Sequence, residues 1–174
     1  FLDGVGADPF LLYLSFYTVH NPMLGKPEKI AKYKAKRDSI RYPYNEKFKT
    51  KELWMMISGT GSWKERLVHD HPIYAAMVES LDENVGKVLK KLDELGLSEN
   101  TVVILTSDNG GLATSEGSPT SNLPLRAGKG WLYEGGIREP LIIRWPNKIK
   151  SGSETSYPVT STDFYPTLLE MANL

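Results

Sequence analysis

Three features that would assign a protein to a broad class are missing from this chain of 174 residues. It has no cysteine, which excludes a disulfide framework, a thiolate metal site and a cysteine nucleophile within the chain. Lys and Arg together number 21, as do Asp and Glu, so the formal net charge is zero and no basic excess favours a nucleic acid as partner. No apolar run approaches the roughly 20 residues that a membrane-spanning helix needs. The 40% of hydrophobic residues instead indicates a globular protein with a core of its own.

The order of the predicted elements is that of an α/β protein. A dense apolar run, Phe10 to Phe16, predicts a buried strand, and two further short runs predict strands at 101–106 and 140–145. Residues 101–106 contain few polar interruptions, which is typical of a strand covered on both faces of its sheet. We therefore expect an α/β fold with a mainly parallel sheet flanked by helices.

The clearest predicted helix runs from 72 to 96. Its apolar residues step by three or four and form one stripe, which indicates core packing. Pro72 suits the first turn and Gly96 suits the C-terminal cap. Asp70 or His71, just before the helix, is expected to act as a capping group rather than as a metal ligand.

The segment from 23 to 65 is the least regular part of the chain, and we expect a variable loop or insertion there. Within it, residues 27–37 predict a short helix with Pro27 in the first turn, and residues 58–66 predict a flexible turn. At the other end of the chain, a capped helix is expected after Thr162 or Asp163.

Residues 102–111, VVILTSDNGG, lead from an apolar strand to an aspartate and an asparagine. In open α/β sheets, sites form beyond the carboxyl ends of the strands, and the glycines at 110 and 111 allow a sharp turn and a close ligand. The oxygens of Asp108 and Asn109, with one negative charge between them, suit a hard cation such as Ca²⁺ or Mg²⁺. The same residue types are also typical of an ordinary turn, so the pentapeptide alone leaves both interpretations open.

Two further residues are candidates for chemistry. Lys129 stands between Gly128 and Gly130, where it can reach an anion as a compact point charge, although an exposed loop lysine has the same pattern. His20 follows the first predicted strand, where a lone histidine can be either structural or catalytic. Arg138 is expected to pair with a neighbouring glutamate rather than with a substrate.

The order and spacing of five segments resemble those of the type I sulfatases, the arylsulfatase branch of the alkaline phosphatase superfamily. The most specific is GKGxxYEGGxREP, which begins at Gly128. The resemblance covers nearly the whole chain and is weakest from 23 to 65. It implies that residues 1–174 are the later part of the family's catalytic domain, an incomplete alkaline-phosphatase-like fold. The segments are HNP at 20–22, the helix from 72, NTVVILTSDNGG at 100–111, GKGWLYEGGIREPLIIRWP at 128–146 and VTSTDFYPTLLEMA at 159–172.

The resemblance implies a role for each candidate residue. Asp108 and Asn109 match the family's ligands to the active-site Ca²⁺. Lys129 matches a catalytic lysine that binds the sulfate, and His20 matches a histidine that contacts the sulfate ester and is a candidate acid for the leaving group. Asn109 also separates the chain from phosphatase relatives, which usually present a histidine at that position for zinc or manganese.

The chain departs from the family pattern in what it lacks. The C/S-x-P-S/A-R motif that supplies the formylglycine is absent, as is the first pair of aspartate ligands. The chain starts at Phe1 without a methionine and stops at Leu174 within a predicted helix, so we expect a fragment whose formylglycine lies upstream. Because tight Ca²⁺ sites take about six to eight oxygens, the fragment alone should bind Ca²⁺ weakly and should not turn over substrate.

The leading prediction is therefore a fragment of a sulfuric ester hydrolase whose parent acts on a sulfate ester, of a carbohydrate rather than an aryl alcohol. The loop 112–127 and the segment 31–49 are expected at the mouth of the pocket. Its partners would be the sulfated substrate and the remainder of the sulfatase domain, and the family implies an exported protein, periplasmic, extracellular or lysosomal. The alternatives are a phosphatase or phosphonate monoester hydrolase of the same superfamily, or a non-catalytic binding module.

Overall fold

The computed structural model describes residues 1–42, 46–51 and 63–174. The chain forms both helices and strands, so the predicted α/β composition is confirmed. In chain order the elements are α1 (Pro27–Ser39), β1 (Phe48–Lys51), β2 (Trp63–Arg66), α2 (Pro72–Glu94), β3 (Val103–Thr106), α3 (Glu134–Ile137), β4 (Leu141–Arg144) and α4 (Ser161–Met171), with short 3₁₀ turns at Leu2–Gly4 and Ser98–Asn100.

The described strands form two separate pairs, and both pairs are antiparallel. β1 pairs with β2, and β3 pairs with β4 so that Val103 lies opposite Arg144 and Thr106 opposite Leu141. The parallel pairing expected from the sequence does not occur among the described residues. A parallel crossover usually carries a longer helix, whereas the connection between β3 and β4 contains only the four-residue α3.

The predicted buried strand from Phe10 to Phe16 is wrong for this chain. Those residues form no regular element, and the side chains from Leu11 onward are exposed, by 73% for Leu11 and by 89% for Tyr13. An apolar run forms a strand only where a neighbouring strand satisfies its backbone and a second layer covers its side chains. The described residues supply neither a neighbouring strand nor a covering layer for residues 10–16. The expectation that the strand at 101–106 is covered on both faces is also wrong, because Leu105 is 41% exposed.

The predicted helix at 72–96 is confirmed as α2. It ends as its sequence indicates, because Gly96 adopts a φ of +68°, which a residue with a Cβ rarely does. The Gly96 N–H donates to the Asp93 carbonyl at 3.0 Å, and the Leu97 N–H donates to the Leu92 carbonyl at 2.9 Å. This pair of bonds satisfies two carbonyls of the last turn that would otherwise lack donors.

The short helix predicted around 27–37 is confirmed as α1, and it packs along α2. Lys29 is buried at this contact and bonds Glu83 at 2.6 Å, while Lys32 bonds Glu79 at 2.9 Å. The core beneath α2 includes Ala76 and other buried apolar side chains. The predicted flexible turn at 58–66 is wrong for Trp63–Arg66, which form β2. Residues 58–62 lie outside the described residues.

The predicted cap of the last helix needs a correction. α4 begins after Thr160, and the Asp163 carboxylate accepts a hydrogen bond from the Thr160 N–H at 2.7 Å. Asp163 is therefore the third residue of the helix, which closes a capping box with Thr160, and not the cap itself, because this motif places the carboxyl group three residues after the capping hydroxyl.

Among the helices of the described ranges, none combines the length and the apolar character that crossing a membrane requires.

His71 caps α2, as one of the two expected groups, and its capping role depends on its protonation. Its Nδ1 accepts a hydrogen bond from the Tyr74 N–H at 3.3 Å, which requires an unprotonated Nδ1. Burial, followed by the nearby positive charge of Arg66, lowers the pKa of His71 below its ordinary value. The folded state therefore takes up a proton on His71 less readily than the unfolded state does.

We predict that this histidine makes the protein less stable in weak acid. Because the pKa of His71 is lower in the folded state than the unfolded value of about 6.5, the stability that neutral His71 contributes is fully present above about pH 6.5. It is lost as the pH falls from there through the folded pKa. His71→Asn keeps a capping group and removes the titration. Urea unfolding from about pH 7 to pH 5 should show a shallower pH dependence of the free energy of unfolding in this variant than in the parent or in His69→Asn. Equal slopes in all three proteins would refute the prediction.

Candidate active site

Asp108 and Asn109 lie where the sequence places them, in the turn that follows β3. The turn is closed by the Ser107 hydroxyl, which donates to the Asn109 carbonyl at 3.0 Å. Asp108 is exposed and Asn109 is half-buried. In the part of the chain that the structure describes, neither side chain has a hydrogen-bond partner, so their oxygens are free to bind a ligand.

Close packing directly after Asn109 depends on five glycines, which we call the glycine block. Four of them meet backbone atoms, and Gly111 meets the side chains of Thr120 and Asn122. The Gly110 N–H donates to the Gly136 carbonyl at 3.1 Å. A Cβ on Gly110 would lie 2.8 Å from the Gly135 carbonyl carbon and closer still to its oxygen, where no side chain fits. The turn after β3 and the helix α3 therefore touch backbone to backbone. The members of the block are Gly110, Gly111, Gly128, Gly135 and Gly136.

Lys129 is brought to the Asp-Asn pair by the same block. Its N–H donates to the Gly111 carbonyl at 3.1 Å, only two residues beyond Asn109. A Cβ on Gly128 would lie 2.6 Å from the side-chain nitrogen of Asn122 and closer to the Gly111 carbonyl. The lysine backbone is thus fixed against the turn that carries the two candidate metal ligands.

Asn122 supports the candidate site structurally, and reasoning from the sequence missed it. Its side-chain amide donates to the Gly111 carbonyl at 2.8 Å and to the Ala127 carbonyl at 2.9 Å. The two bonds tie the turn after Asn109 to the segment just before Lys129. In the sequence, Asn122 lies among Gly, Ser, Pro and Asn residues that are typical of any turn, so only the three-dimensional contacts reveal its role.

The charges around the turn are unbalanced. Arg138 pairs with Glu134 at 3.5 Å, as expected, and leaves Glu139 without that cation. Among the described residues, the Glu139 Oε1 atom is buried and has no hydrogen-bond partner. Burial, followed by the negative charge of Asp108, raises the pKa of Glu139. The effect of Asp108 on the pKa of Glu139 indicates that negative charge is concentrated at this turn, where the Asp108 carboxylate and the Asn109 amide oxygen are ligand types that suit a hard divalent cation.

The described residues supply only part of such a site. They contain no group of three or more His, Cys, Asp or Glu residues placed to hold a metal ion together. By chemistry and by charge, Asp108 and Asn109 fit Ca²⁺ as two candidate ligands. A tight site takes about six to eight oxygens, so further ligands are needed.

His20 is exposed on the loop that follows residues 10–16, and its ring is oriented by local contacts. The ring lies 5.0 Å from that of Tyr17, centre to centre, and Nδ1 is 2.8 Å from the Asn21 carbonyl oxygen. The Tyr17 hydroxyl donates to that same oxygen at 2.9 Å. Because a carbonyl oxygen can only accept, Nδ1 of His20 carries a hydrogen, and Nε2 is the nitrogen available to a substrate.

The candidate residues are joined in two different ways. Lys129 and the Asp-Asn pair share one backbone frame, the glycine block. His20 is connected to the same segment of the chain through side chains, because the Asn21 amide donates to the Glu116 carboxylate at 2.6 Å. This bond places the loop 112–127 beside His20.

We predict that the glycine block does not accept side chains. In Gly110→Ala the added methyl group collides with the Gly135 backbone, which cannot move aside as a flexible side chain would. Overpacking of this kind costs about 1–3 kcal/mol of stability. The matched control is Gly86→Ala in α2, where an added Cβ meets nothing within 4 Å and should stabilise the helix by about 0.5–1 kcal/mol. Chemical unfolding of both variants checks the opposite signs, and a Gly110→Ala protein as stable as the parent would contradict the packing described.

Comparison with known proteins assigns the chain to one family. The family model for sulfatases matches residues 1–174. A sulfatase of Formosa agariphila is 39% identical over 180 residues, which cover 98% of this chain and 27% of that protein. The steryl-sulfatase of Rattus norvegicus is 34% identical over 169 residues, which cover 94% of this chain and 23% of that protein.

The solved structures agree with the sequences. The crystal structure of Ps i-CgsB in complex with k-i-k-neocarrahexaose superposes with a TM-score of 0.72 and 30% identity, over 98% of this chain and 31% of that one. The chain spans about a quarter of the length of the curated relatives it matches. Its fold is therefore that of part of a sulfatase. Because the family model matches from the first residue to the last, the chain belongs to the sulfatase family.

Proposed function

We propose that the chain is the later part of a sulfatase catalytic domain and that the full-length protein hydrolyses a sulfate ester with Ca²⁺. The observation that carries the proposal is the glycine block, which sets Lys129 against the turn of Asp108 and Asn109 within a chain matched throughout by the sulfatase family. A sulfatase needs positive charge at the sulfuryl oxygens, and this frame supplies a lysine beside two cation ligands.

Asp108 and Asn109 would hold the Ca²⁺ ion through their side-chain oxygens. When bound, the ion withdraws charge from a sulfate oxygen and so polarises the ester. It would also offset the repulsion between Asp108 and Glu139. We propose that the remaining ligands, and the formylglycine that supplies the nucleophile, belong to parts of the full-length protein outside these 174 residues.

Lys129 binds the sulfate group in this proposal. Cleavage leaves negative charge on the sulfuryl oxygens, and a lysine ammonium fixed beside them lowers the barrier electrostatically. The Lys129 N–H is bonded to the Gly111 carbonyl, and Asn122 ties that carbonyl to Ala127 two residues before the lysine, so little rearrangement is needed when the substrate arrives. Lysine suits this task because its charge is compact and its stem is long.

His20 acts as the acid for the leaving group. With Nδ1 donating to the Asn21 carbonyl, the protonated imidazole has its second N–H, on Nε2, available for the departing oxygen. Transfer of that proton avoids the release of a free alkoxide and typically contributes about 10²- to 10⁴-fold to the rate. This role matters most for esters of ordinary alcohols, whose alkoxides leave poorly.

The substrate class proposed is a sulfated carbohydrate, and the protein is proposed to be exported to a periplasmic, extracellular or lysosomal space. Support for the substrate comes from the similar Ps i-CgsB, which was crystallised with an oligosaccharide. The segments 112–127 and 31–49 would line the pocket mouth, residues 43–45 of the latter lying outside the described ranges. Asn109 favours sulfate over phosphate chemistry. A carboxylate and an amide suit a hard cation such as Ca²⁺, whereas the phosphatase relatives usually present a histidine here for zinc or manganese.

The activity is tested on the full-length protein with matched sulfate and phosphate esters. We expect sulfate ester hydrolysis to be faster, and Lys129→Ala to lower kcat/KM by about 10²- to 10³-fold, the usual cost of one electrostatic donor. Lys148→Ala, which removes an exposed lysine from the loop after β4, is the control and should be neutral. Preference for the phosphate ester, or equal activity of the two lysine variants, would reject the proposal.

The metal site is tested separately by binding. Asp108→Asn removes the one negative charge of the pair and should weaken Ca²⁺ binding by at least about tenfold, since even outer-sphere partners of a metal cost about 10- to 100-fold. Asp82→Asn, an exposed position on α2, is the control. Calcium titration followed by calorimetry gives the affinities without relying on turnover. An unchanged affinity in Asp108→Asn would place the cation elsewhere.

A further inference from the structure

We infer that Glu116 is a positioning residue for His20. The Glu116 carboxylate holds the Asn21 side chain, and the backbone carbonyl of Asn21 orients the imidazole. The inference rests on the acid role proposed for His20 and adds a residue that neither the sequence motifs nor the family resemblance assigns. Glu116 lies 95 positions from Asn21 along the chain, in the loop between β3 and α3.

The loop that carries His20 has few other attachments. Its remaining hydrogen bonds are local, since the His20 N–H donates to the Tyr17 carbonyl at 2.9 Å and the other two bonds converge on the Asn21 carbonyl. Residues 10–16, which precede it, form no regular element and are largely exposed. Among the described residues, the bond from Asn21 to Glu116 is therefore the long-range hydrogen bond that fixes this loop.

Glu116, by contrast, projects from an anchored turn. The Ser118 N–H donates to the Ser115 carbonyl at 2.8 Å, and the Ser118 hydroxyl donates to the Lys64 carbonyl at 2.7 Å. The Ser118 carbonyl accepts a hydrogen bond from Arg66, which is buried and paired with Asp70. Ser115 and Ser118 are buried while Glu116 is exposed, so the turn fixes the backbone and presents the carboxylate outward.

The chemistry of the contact suits a positioning role. A bond from an amide to a carboxylate is charge-assisted and stronger than a bond between neutral groups, and its length of 2.6 Å is short. It fixes the orientation of Asn21, whose carbonyl keeps the hydrogen of His20 on Nδ1 and leaves Nε2 as the site of proton transfer. The same segment holds the Lys129 backbone through Gly111 and Asn122. The loop between β3 and α3 therefore positions both groups that are proposed to act on the ester, His20 and Lys129.

The test compares two aryl sulfates that differ in leaving group, with the full-length protein. 4-Nitrophenyl sulfate releases a stable anion and needs little proton transfer, whereas phenyl sulfate needs more. We expect Glu116→Ala to lower kcat on phenyl sulfate by about tenfold, part of the 10²- to 10⁴-fold that an acid contributes, and to leave 4-nitrophenyl sulfate nearly unchanged. A purely structural role would lower both rates together. Glu99→Ala, which removes an exposed glutamate, is the control.

Two further variants keep the test decisive if Glu116→Ala folds poorly. Glu116→Gln retains a side-chain oxygen that can accept from Asn21 and should recover most of the activity on phenyl sulfate. Asn21→Asp sets two carboxylates against each other and should reproduce the defect, while the combination of Asn21→Asp with Glu116→Gln restores a donor and an acceptor and should relieve it. Absence of this relief would overturn the inference.

His20→Ala separates the inference from the proposed function. If His20→Ala slows phenyl sulfate selectively and Glu116→Ala does not, the acid role stands and the positioning role of Glu116 is rejected. If His20→Ala shows no dependence on the leaving group, the proposed acid role itself fails. Selective losses in both variants, with rescue in the exchanged pair, are the results expected.

Discussion

The constraint on which the site depends is the contact of backbone with backbone at the glycine block. The turn after β3, the loop around Lys129 and the helix α3 approach so closely that a methyl group at Gly110 would overlap the Gly135 carbonyl. Close contact of this kind fixes main-chain positions directly, without relying on the packing of flexible side chains. Asp108, Asn109 and Lys129 therefore extend from one backbone frame. In the proposed function, that frame would order the charged groups around a sulfate during folding rather than during catalysis.

The chain has a formal net charge of zero, but the negative charges of Asp108 and Glu139 are not balanced by a cation within the candidate site in the described residues. Asp108 and Glu139 repel each other, and the Glu139 Oε1 atom is buried without a partner in the described part of the chain. Burial of an unsatisfied carboxylate oxygen destabilises a folded protein unless something compensates for it. A bound Ca²⁺ ion would supply that compensation, which connects the energetics of the fold to the proposed sulfatase chemistry.

Local patterns predicted the parts of the structure that local forces determine. The apolar stripe and the caps predicted α2, with Gly96 at its C-terminal cap, and the glycines after Asn109 predicted a sharp turn. That this turn meets the loop of Lys129 was not predicted. Pairing between distant segments was not predictable in this way. The run at 10–16 has the composition of a strand but finds no partner among the described residues. Asn122 and Glu116 look like ordinary loop residues until their contacts are known. The assigned roles of Asp108, Asn109, Lys129 and His20 stay predictions.

The central claim is that the glycine block gathers Asp108, Asn109 and Lys129 into one site for a cation and a sulfate group. The most direct test is a crystal structure of the full-length protein with Ca²⁺ and inorganic sulfate bound. We expect the ion to lie about 2.3–2.6 Å from side-chain oxygens of Asp108 and Asn109, with the Lys129 ammonium in hydrogen-bond contact with the sulfate. An ion bound elsewhere, or a Lys129 side chain directed away from the sulfate, would contradict the account.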